Sequence, residues 1–582
     1  MKKETILKQK QILVELLNAG RFAQGYELCT RLLEKIKRLP ADAADGGVSR
    51  EIGQMYAILV IELKKKDEQP RAMQILEDNG LDAYSVFIQS RLYWLVEDNF
   101  RTLTLLEDYF RITSTEEDFC IDDDSPFWQA SFGLRQKILN ILGRVYKFYS
   151  LPLLGARCSL LAGRLGDDLP SRRMEYSNYL FNLHYLFMDP KDYFKAHSGF
   201  DSLFADIRQL GHDRAVHKAH AKIRIGYISS DFRQHVCLLF FWAMLTRYDK
   251  DEFEVYVFQN DKTEDDYSQY IKNHVDCWCN VSAYPTLVAA NVIKSMEIDI
   301  LFELAGHSAG NALGILAYKP APIQICGIGY FATTGLRAVD YFLTDRYLVN
   351  EDTQKYFVEK LLVLPHSHFC YTPLNDMPAK VHGAPCMTNG YITFGSFNNL
   401  TKVNDEVLSA WIEILHRVPD SRLLLKGSLL TNPEGRELMR QKLLAMGLSE
   451  ERFELQAFTL PYLSEYYRMD IALDTFPYPG GGTTCDALYM GVPVVTLGDG
   501  SHGGNFGISL LRNIGLEECC TYSVEQYIER AVLLSGDFEL LEALHRGIRH
   551  MMDKSHVIDG RKYMADLEKA YRQIYGRYIA GK

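Results

Sequence analysis

At Lys222 the hydrophobic period of the chain changes, and that change constrains the fold more than any single motif. Before it, apolar residues recur at three- and four-residue spacing in Thr5–Leu17, Ala23–Ile36, Ile52–Lys65, Phe132–Tyr149 and Tyr176–Leu186, the pattern of amphipathic helices. After it, KIRIGYIS, FEVYVFQ, DILFEL, PIQICGIG and VDYFLTD read as strands, with helices CLLFFWAMLTRY, Thr286–Met296 and Ala312–Tyr318 between them. A second series follows: strands YITFGSF, SRLLLKG, ERFELQAF, DIALDTF and VPVVTLG, with helices Asp405–Arg417, Pro433–Met446, Leu463–Met469 and Thr483–Met490. Strands alternating with helices imply right-handed crossovers and a mostly parallel sheet, so two series imply two α/β domains in tandem. The turn-rich stretch Thr372–Asn389, with three prolines, reads as the linker between them.

A chain of 582 residues exceeds one hydrophobic core and accommodates this division. The expected domains are residues 1–215, an all-α module; 216–380, a first Rossmann-like domain; and 381–582, a second. In the all-α module β-type alternation is nearly absent. Its helix pairs suggest an α-solenoid resembling tetratricopeptide repeats, without a clean 34-residue period. Such modules usually recruit partners.

A net charge of -11 argues against a non-specific nucleic-acid binder, while leaving room for one local pocket for a diphosphate. No apolar run follows the polar start MKKETILKQKQ and none reaches membrane-spanning length, so neither a signal peptide nor a membrane span is expected. The 12 cysteines are scattered without zinc-type spacing and read as buried free thiols of a cytoplasmic protein.

The chemistry concentrates in DTFPYPGGGTTCD, residues 474–486. A buried strand ends, three glycines follow and a helix opens, so main-chain N–H groups and the positive helix end approach an anion closely. Gly480, Gly481 and Gly482 lack the Cβ atoms that hold a phosphate away, Thr483 and Thr484 suit helix capping and phosphate contact, and Asp486 suits ribose hydroxyls. The same stretch also reads as a flexible turn with ordinary caps. Lys402, past the first strand of the second series, either faces the cleft as a counter-charge for a leaving diphosphate or is a solvated surface lysine. His235, in the loop after KIRIGYIS, is either a base across that cleft or a structural histidine. GxxxxGK[ST] is absent and SDFRQH replaces GxGxxG, which excludes a phosphate-loop NTPase and disfavours a dinucleotide oxidoreductase. No acidic pair with a neighbouring histidine points to a metal.

Several blocks, in order, resemble protein O-GlcNAc transferases and their SPINDLY-like relatives: YSNYLFNLHY, IGYISSDFRQH, GHSAGNALGILAYKPAPIQICGIGYFATTGLRAVDYFLTD, LPHSHFCY, FGSFNNLTKVNDEVLSAWIEILHRVPDSRLLLK and DIALDTFPYPGGGTTCDALYMGVPVVTLGDGSHGGNFGISLLRNIGL. The resemblance implies a GT-B fold, with tetratricopeptide-like helices before two Rossmann-like domains and the helix Gly560–Ile579 crossing back to the first sheet. It implies an inverting transferase that needs no metal or other cofactor and moves a sugar, most directly GlcNAc from UDP-GlcNAc, to Ser or Thr of proteins held by the helical module.

By that resemblance Lys402 neutralises the donor's diphosphate, with Asn399 beside it. Gly481, Gly482, Thr483 and Thr484 form the turn at the phosphates, and Asp486 takes the ribose. Tyr462 sets its ring against the base, Ala457 offers main-chain groups to the base edge, Gly329 packs on the donor sugar and His235 is base or sugar contact. The chain departs from the family pattern at Gly481 and Gly482, where animal enzymes have histidine and threonine, at Gly327 and Phe331, and in GDGSHGGNFG, which lacks an arginine. These changes leave GDP-fucose, UDP-glucose and transfer to asparagine open. An inactive helical-repeat binding protein and a nucleotide-sugar epimerase are the readings from other classes.

Overall fold

The computed structural model describes residues 3–38, 46–115, 118–374, 378 and 382–581. They form two compact units, Met1–Glu175 and Tyr176–Lys582. The division falls within the helix Leu169–Leu183, earlier than the change of hydrophobic period.

The first unit is a succession of helices, among them Lys3–Asn18, Phe22–Lys37, Gly46–Glu62, Ala83–Leu95, Asn99–Phe110, Phe132–Phe148 and Pro152–Leu165. Helices adjacent in sequence pack on one another, as in helical-hairpin arrays. Leu13, Leu32, Tyr56, Val60, Leu92, Phe110, Leu142 and Tyr146 supply its core. The buried Tyr56 phenol is satisfied, since half-buried Glu68 accepts from the Tyr26 and Tyr56 phenols at 2.8 and 2.6 Å. One short antiparallel pair, β1 (Ile112–Ser114) and β2 (Phe119–Ile121), interrupts the helices. Three-residue strands are too short to show alternation, which is why the sequence reads as helix and break here.

The second unit holds two fully parallel sheets. The first contains β3 (Ile223–Ser229), β4 (Phe253–Gln259), β5 (Cys277–Asn280), β6 (Ile300–Glu303), β7 (Ile323–Cys326), β8 (Tyr341–Asp345) and β9 (Lys360–Leu364), in the order β5-β4-β3-β6-β7-β8-β9. The second contains β10 (Thr393–Ser396), β11 (Arg422–Gly427), β12 (Phe453–Ala457), β13 (Ile471–Leu473), β14 (Val494–Leu497) and β15 (Cys520–Thr521), in the order β12-β11-β10-β13-β14-β15. Each sheet therefore reverses direction once, between β3 and β6 and between β10 and β13. Ligands of such sheets bind outside the carboxyl ends of the strands at this switch point. The two strand series thus form two α/β domains as expected, in the GT-B arrangement that the resemblance implies. The strands β6, β7, β10 and β14 are buried along their whole length, as parallel strands covered on both faces must be.

The last helix, Gly560–Ile579, packs against β7 and β9 of the first sheet, with Tyr571 Oη 3.3 Å from Tyr227 Oη. Asp249 N–H donates to Glu568 at 2.8 Å and Tyr563 Oη to the His368 carbonyl at 3.0 Å, fixing the crossing. The stretch Leu463–Arg468 is a 3-10 turn where an α-helix was expected, too short to complete the i→i−4 ladder. The expected linker Thr372–Asn389 lies partly outside the described residues. The cysteines are free, and Cys120 is exposed where burial was expected. No helix among the described residues is long and apolar enough to cross a membrane.

Candidate active site

Three loops meet at the two switch points. The His235 loop follows β3. The Asn398–Lys402 segment follows β10, and the Asp474–Gly482 turn follows β13. A methyl group built on Gly482 would stand 2.8 Å from Val236 Cγ2, so the histidine loop of the first lobe lies directly against the glycine turn of the second.

Asp474 organises that turn. Its buried carboxylate accepts from the N–H groups of Thr475 (2.9 Å) and Gly480 (2.7 Å), the Thr496 hydroxyl (2.8 Å) and the Asn398 amide (3.1 Å). Burial pushes this carboxyl above its ordinary range, opposed by the Gly480 N–H, the Thr496 hydroxyl and the Lys402 charge. Asn398 in turn accepts from the Thr483 hydroxyl at 2.6 Å. Gly480 is therefore structural: its N–H serves Asp474, and a Cβ there would lie 2.3 Å from Thr484 Oγ1 and 2.7 Å from Thr483 Oγ1.

The helix that follows runs Gly482–Tyr489 with Gly481 as its N-cap and no side-chain cap. The expectation that Thr483 and Thr484 cap it is corrected, because both lie inside the first turn and Thr483 donates to Asn398 instead. The first intrahelical bond is Cys485 N–H to Gly481 at 3.0 Å, so the N–H groups of Gly482, Thr483 and Thr484 open the helix toward the cleft.

Lys402 Nζ donates to the Pro479 carbonyl at 2.8 Å and lies 3.8 Å from the centroid of the Tyr478 ring. The ammonium is thus fixed at the edge of the same turn, supported by a cation–π contact. Asn399 is exposed and accepts from Thr401 N–H at 3.1 Å, which sets the short turn carrying Lys402. Asp486 is buried and accepts from Tyr371 at 2.5 Å and Tyr462 at 2.6 Å. Burial pushes its carboxyl up to about 6, against the two phenols that lower it. The Ala457 carbonyl accepts from Lys426 Nζ at 2.9 Å.

On the first lobe, His235 is half-buried, with Nδ1 3.4 Å from Asp231 Oδ2 and 3.3 Å from the Cys237 amide nitrogen. Gly329 sits at the carboxyl edge beyond β7. Its N–H donates to the Leu304 carbonyl at 3.0 Å, and a Cβ would stand 2.3 Å from that oxygen. Glu303, fully buried at the end of β6, accepts from the N–H groups of Ala305, Gly306 and Ala312 and holds that loop. Burial pushes Glu303 up to about 7.

Lys402, Gly481, Gly482, Thr483, Thr484, Asp486 and Tyr462 thus cluster around one turn, and His235 faces it from the other lobe. Sequence reasoning missed Asp474, Asn398 and Tyr371. Asp474 stood at the end of an apolar strand, Asn398 beside the asparagine that was chosen, and Tyr371 within a quoted family block. Size does not locate the site. A cavity of about 860 Å³ opens at the opposite, amino edge of the second sheet beside Thr393, Arg422 and Phe453, whereas one of about 270 Å³ adjoins Tyr478.

Similarity to known proteins follows the same residues. A model of glycosyl transferase family 41 matches 205–378 and 383–567. The protein named "Probable UDP-N-acetylglucosamine--peptide N-acetylglucosaminyltransferase SPINDLY" of Petunia hybrida is 38% identical over 368 residues, 61% of this chain and 39% of that protein. The Arabidopsis thaliana protein whose name ends in SEC is 29% identical over 375 residues, covering 62% of this chain and 38% of that protein. The chain therefore spans about two fifths of the length of these plant relatives. A structure of a Thermobaculum terrenum O-GlcNAc transferase variant superposes with a TM-score of 0.78 at 26% identity, covering 92% of this chain and 99% of that one. With the family model matching most of its length across both sheets, the chain belongs to glycosyl transferase family 41.

Proposed function

We propose that the chain is an inverting protein glycosyltransferase that transfers GlcNAc from UDP-GlcNAc to Ser or Thr hydroxyls. The acceptor hydroxyl attacks the anomeric carbon, the bond to the diphosphate breaks, and the nucleoside diphosphate leaves. Negative charge builds on the leaving oxygens, and stabilising it is the largest demand on the site. The observation that carries this reading is the 2.8 Å contact from Lys402 Nζ to Pro479, which holds an ammonium at the mouth of a helix-opening glycine turn. With Lys402 and the helix N–H groups supplying positive charge, the transfer needs no metal. Asp486 takes the ribose, Tyr462 and Ala457 the base, Asn399 and Gly329 the flanks of the donor, and His235 accepts or orients the hydroxyl proton. The helical unit recruits the protein acceptors, in the cytoplasm.

Lys402→Ala tests it. Turnover is expected to fall about 10²–10³-fold with the fold retained, the usual effect of losing one such donor; unchanged turnover removes the assignment. A second donor, GDP-fucose or UDP-glucose, has one observation in its favour. Gly481 is open, since a Cβ there meets only Phe506 and Phe240 at 3.5 and 3.9 Å, so the pocket lacks a side chain that animal relatives carry. Hydrolysis assayed across the three nucleotide sugars decides between them.

A further inference from the structure

Among the described residues, three groups of side chains converge closely enough to share a metal ion: His217–His220–Asp299, His366–His556–Asp566 and Asp231–His235–Cys237. Distance separates them. Nitrogen and oxygen donors each about 2.1 Å from a tetrahedral zinc stand about 3.4 Å apart. His217 Nδ1 lies 2.7 Å from Asp299 and His366 Nδ1 lies 2.8 Å from Asp566, which are hydrogen-bond lengths that leave no room for an ion. The His366 and His556 rings are also stacked 3.5 Å apart at 11°, so their in-plane lone pairs cannot converge on one point. His235 Nδ1 and Asp231 Oδ2 are 3.4 Å apart, too long for a good hydrogen bond and matched to a tetrahedral edge, and the 3.3 Å hydrogen bond that Nδ1 accepts from the Cys237 N–H is long enough to give way to an ion.

We propose that Asp231, His235 and Cys237 form a binding site for a zinc-like divalent ion, and that its occupation inhibits the enzyme. The three ligands fall within residues 231–237, between β3 and the helix Leu238–Thr246, with Cys237 at the helix N-cap. Carboxylate, imidazole and thiolate together suit zinc and leave its fourth position to water. The Ser230 hydroxyl donates to Asp231 Oδ1 at 3.1 Å and so turns Oδ2 toward His235, an outer-shell support of the kind metal ligands require. The His235 side chain is 36% exposed against 8% for Asp231, which gives an ion an entry path from the cleft. On binding, the Cys237 thiol proton passes to solvent as the Sγ–metal bond forms.

Inhibition follows from the ring. An ion on Nδ1 leaves the remaining proton on Nε2, so the imidazole cannot take another from an acceptor hydroxyl. This second half rests on the transferase reading above; metal binding itself does not.

Cobalt(II) titrated into the full chain tests the site. A thiolate-to-cobalt charge-transfer band is expected, absent in Cys237→Ser, and Ser230→Ala is expected to weaken binding roughly 10–100-fold. No band, or a band that survives Cys237→Ser, overturns the proposal. In parallel, zinc is expected to inhibit donor hydrolysis by the native chain and far less by Cys237→Ser. Cobalt binding through Cys237 with undiminished turnover keeps the site and overturns the proton-accepting role of His235.

Discussion

The Tyr462 phenol donates to Asp486 at 2.6 Å, so the ring expected against the base and the carboxylate expected on the ribose are joined to each other. Tyr371, which follows the first lobe, donates to the other oxygen at 2.5 Å. Buried Tyr371 and Asp486 and half-buried Tyr462 thus form one hydrogen-bonded unit.

That unit titrates. Asp486 has its carboxyl raised from 3.8 to about 6, principally by burial. A raised carboxyl favours the folded state when protonated, so this group's contribution is complete below about pH 4 and is lost as pH rises through about 6, worth roughly 3 kcal/mol. With Asp486 on the ribose, as proposed, donor binding runs the opposite way, because the ionised carboxylate is the better acceptor for hydroxyls. Calorimetry with a nucleotide sugar, whose diphosphate does not titrate in this range, should show affinity falling from about pH 7 to about pH 5. Asp486→Asn should flatten that dependence. Tyr462→Phe removes a hydrogen bond that lowers the carboxyl and should move the midpoint upward.

Asn398 bridges Asp474 and Thr483 across the chain. Asn398→Ala leaves a buried carboxylate oxygen short of one donor and the Thr483 hydroxyl without its acceptor. A loss of about 1–3 kcal/mol in urea unfolding is expected, together with weaker donor binding as the turn loosens. Asn398→Asp should cost more, since it sets a second carboxylate beside Asp474.

Two of the glycines should respond to the same substitution to very different degrees. Gly329→Ala drives a methyl to 2.3 Å from the Leu304 carbonyl, a backbone atom that moves only with β6, so destabilisation of about 1–3 kcal/mol is expected. Gly481→Ala meets ring edges at ordinary contact distance and should change stability by less than about 0.5 kcal/mol. Thermal melts of the two variants check both.

The lobes were legible because parallel strands buried on both faces appear as short apolar runs, and β3, β4, β6, β10 and β11 fall where those runs fall. The edge strands β5 and β15 were not: Cys277–Asn280 is a half-buried strand of mixed character, and Cys520–Thr521 has only two residues. At the site, glycines, threonines and Lys402 were visible because their chemistry is local to one turn. The Asp474–Asn398–Thr483 chain was not, since it links three elements through side-chain hydrogen bonds that leave no periodic trace. Nor was the Tyr462–Asp486 pairing, whose partners lie on different turns and meet only in the fold.

His235 poses the sharpest question about protons. Its Nδ1 faces both the Asp231 carboxylate at 3.4 Å and the Cys237 N–H at 3.3 Å, and one nitrogen cannot donate to the first and accept from the second at once. Donation to Asp231 leaves Nε2 bare and basic; acceptance from Cys237 puts the proton on Nε2 and removes the base. Under the proposed role of His235 as base, the tautomer with its proton on Nδ1 is the active one, and the adjacent Asp231 carboxylate favours it over the tautomer set by Cys237. Asp231→Asn offers an amide that can donate to Nδ1 and should lower kcat by about 10²-fold or more while leaving the donor's KM nearly unchanged. His235→Ala should cost a similar factor, and the double variant should cost little beyond either single one, because both act through one proton. Additive losses in that double variant, measured by single-turnover transfer, would show that Asp231 serves the loop rather than the ring.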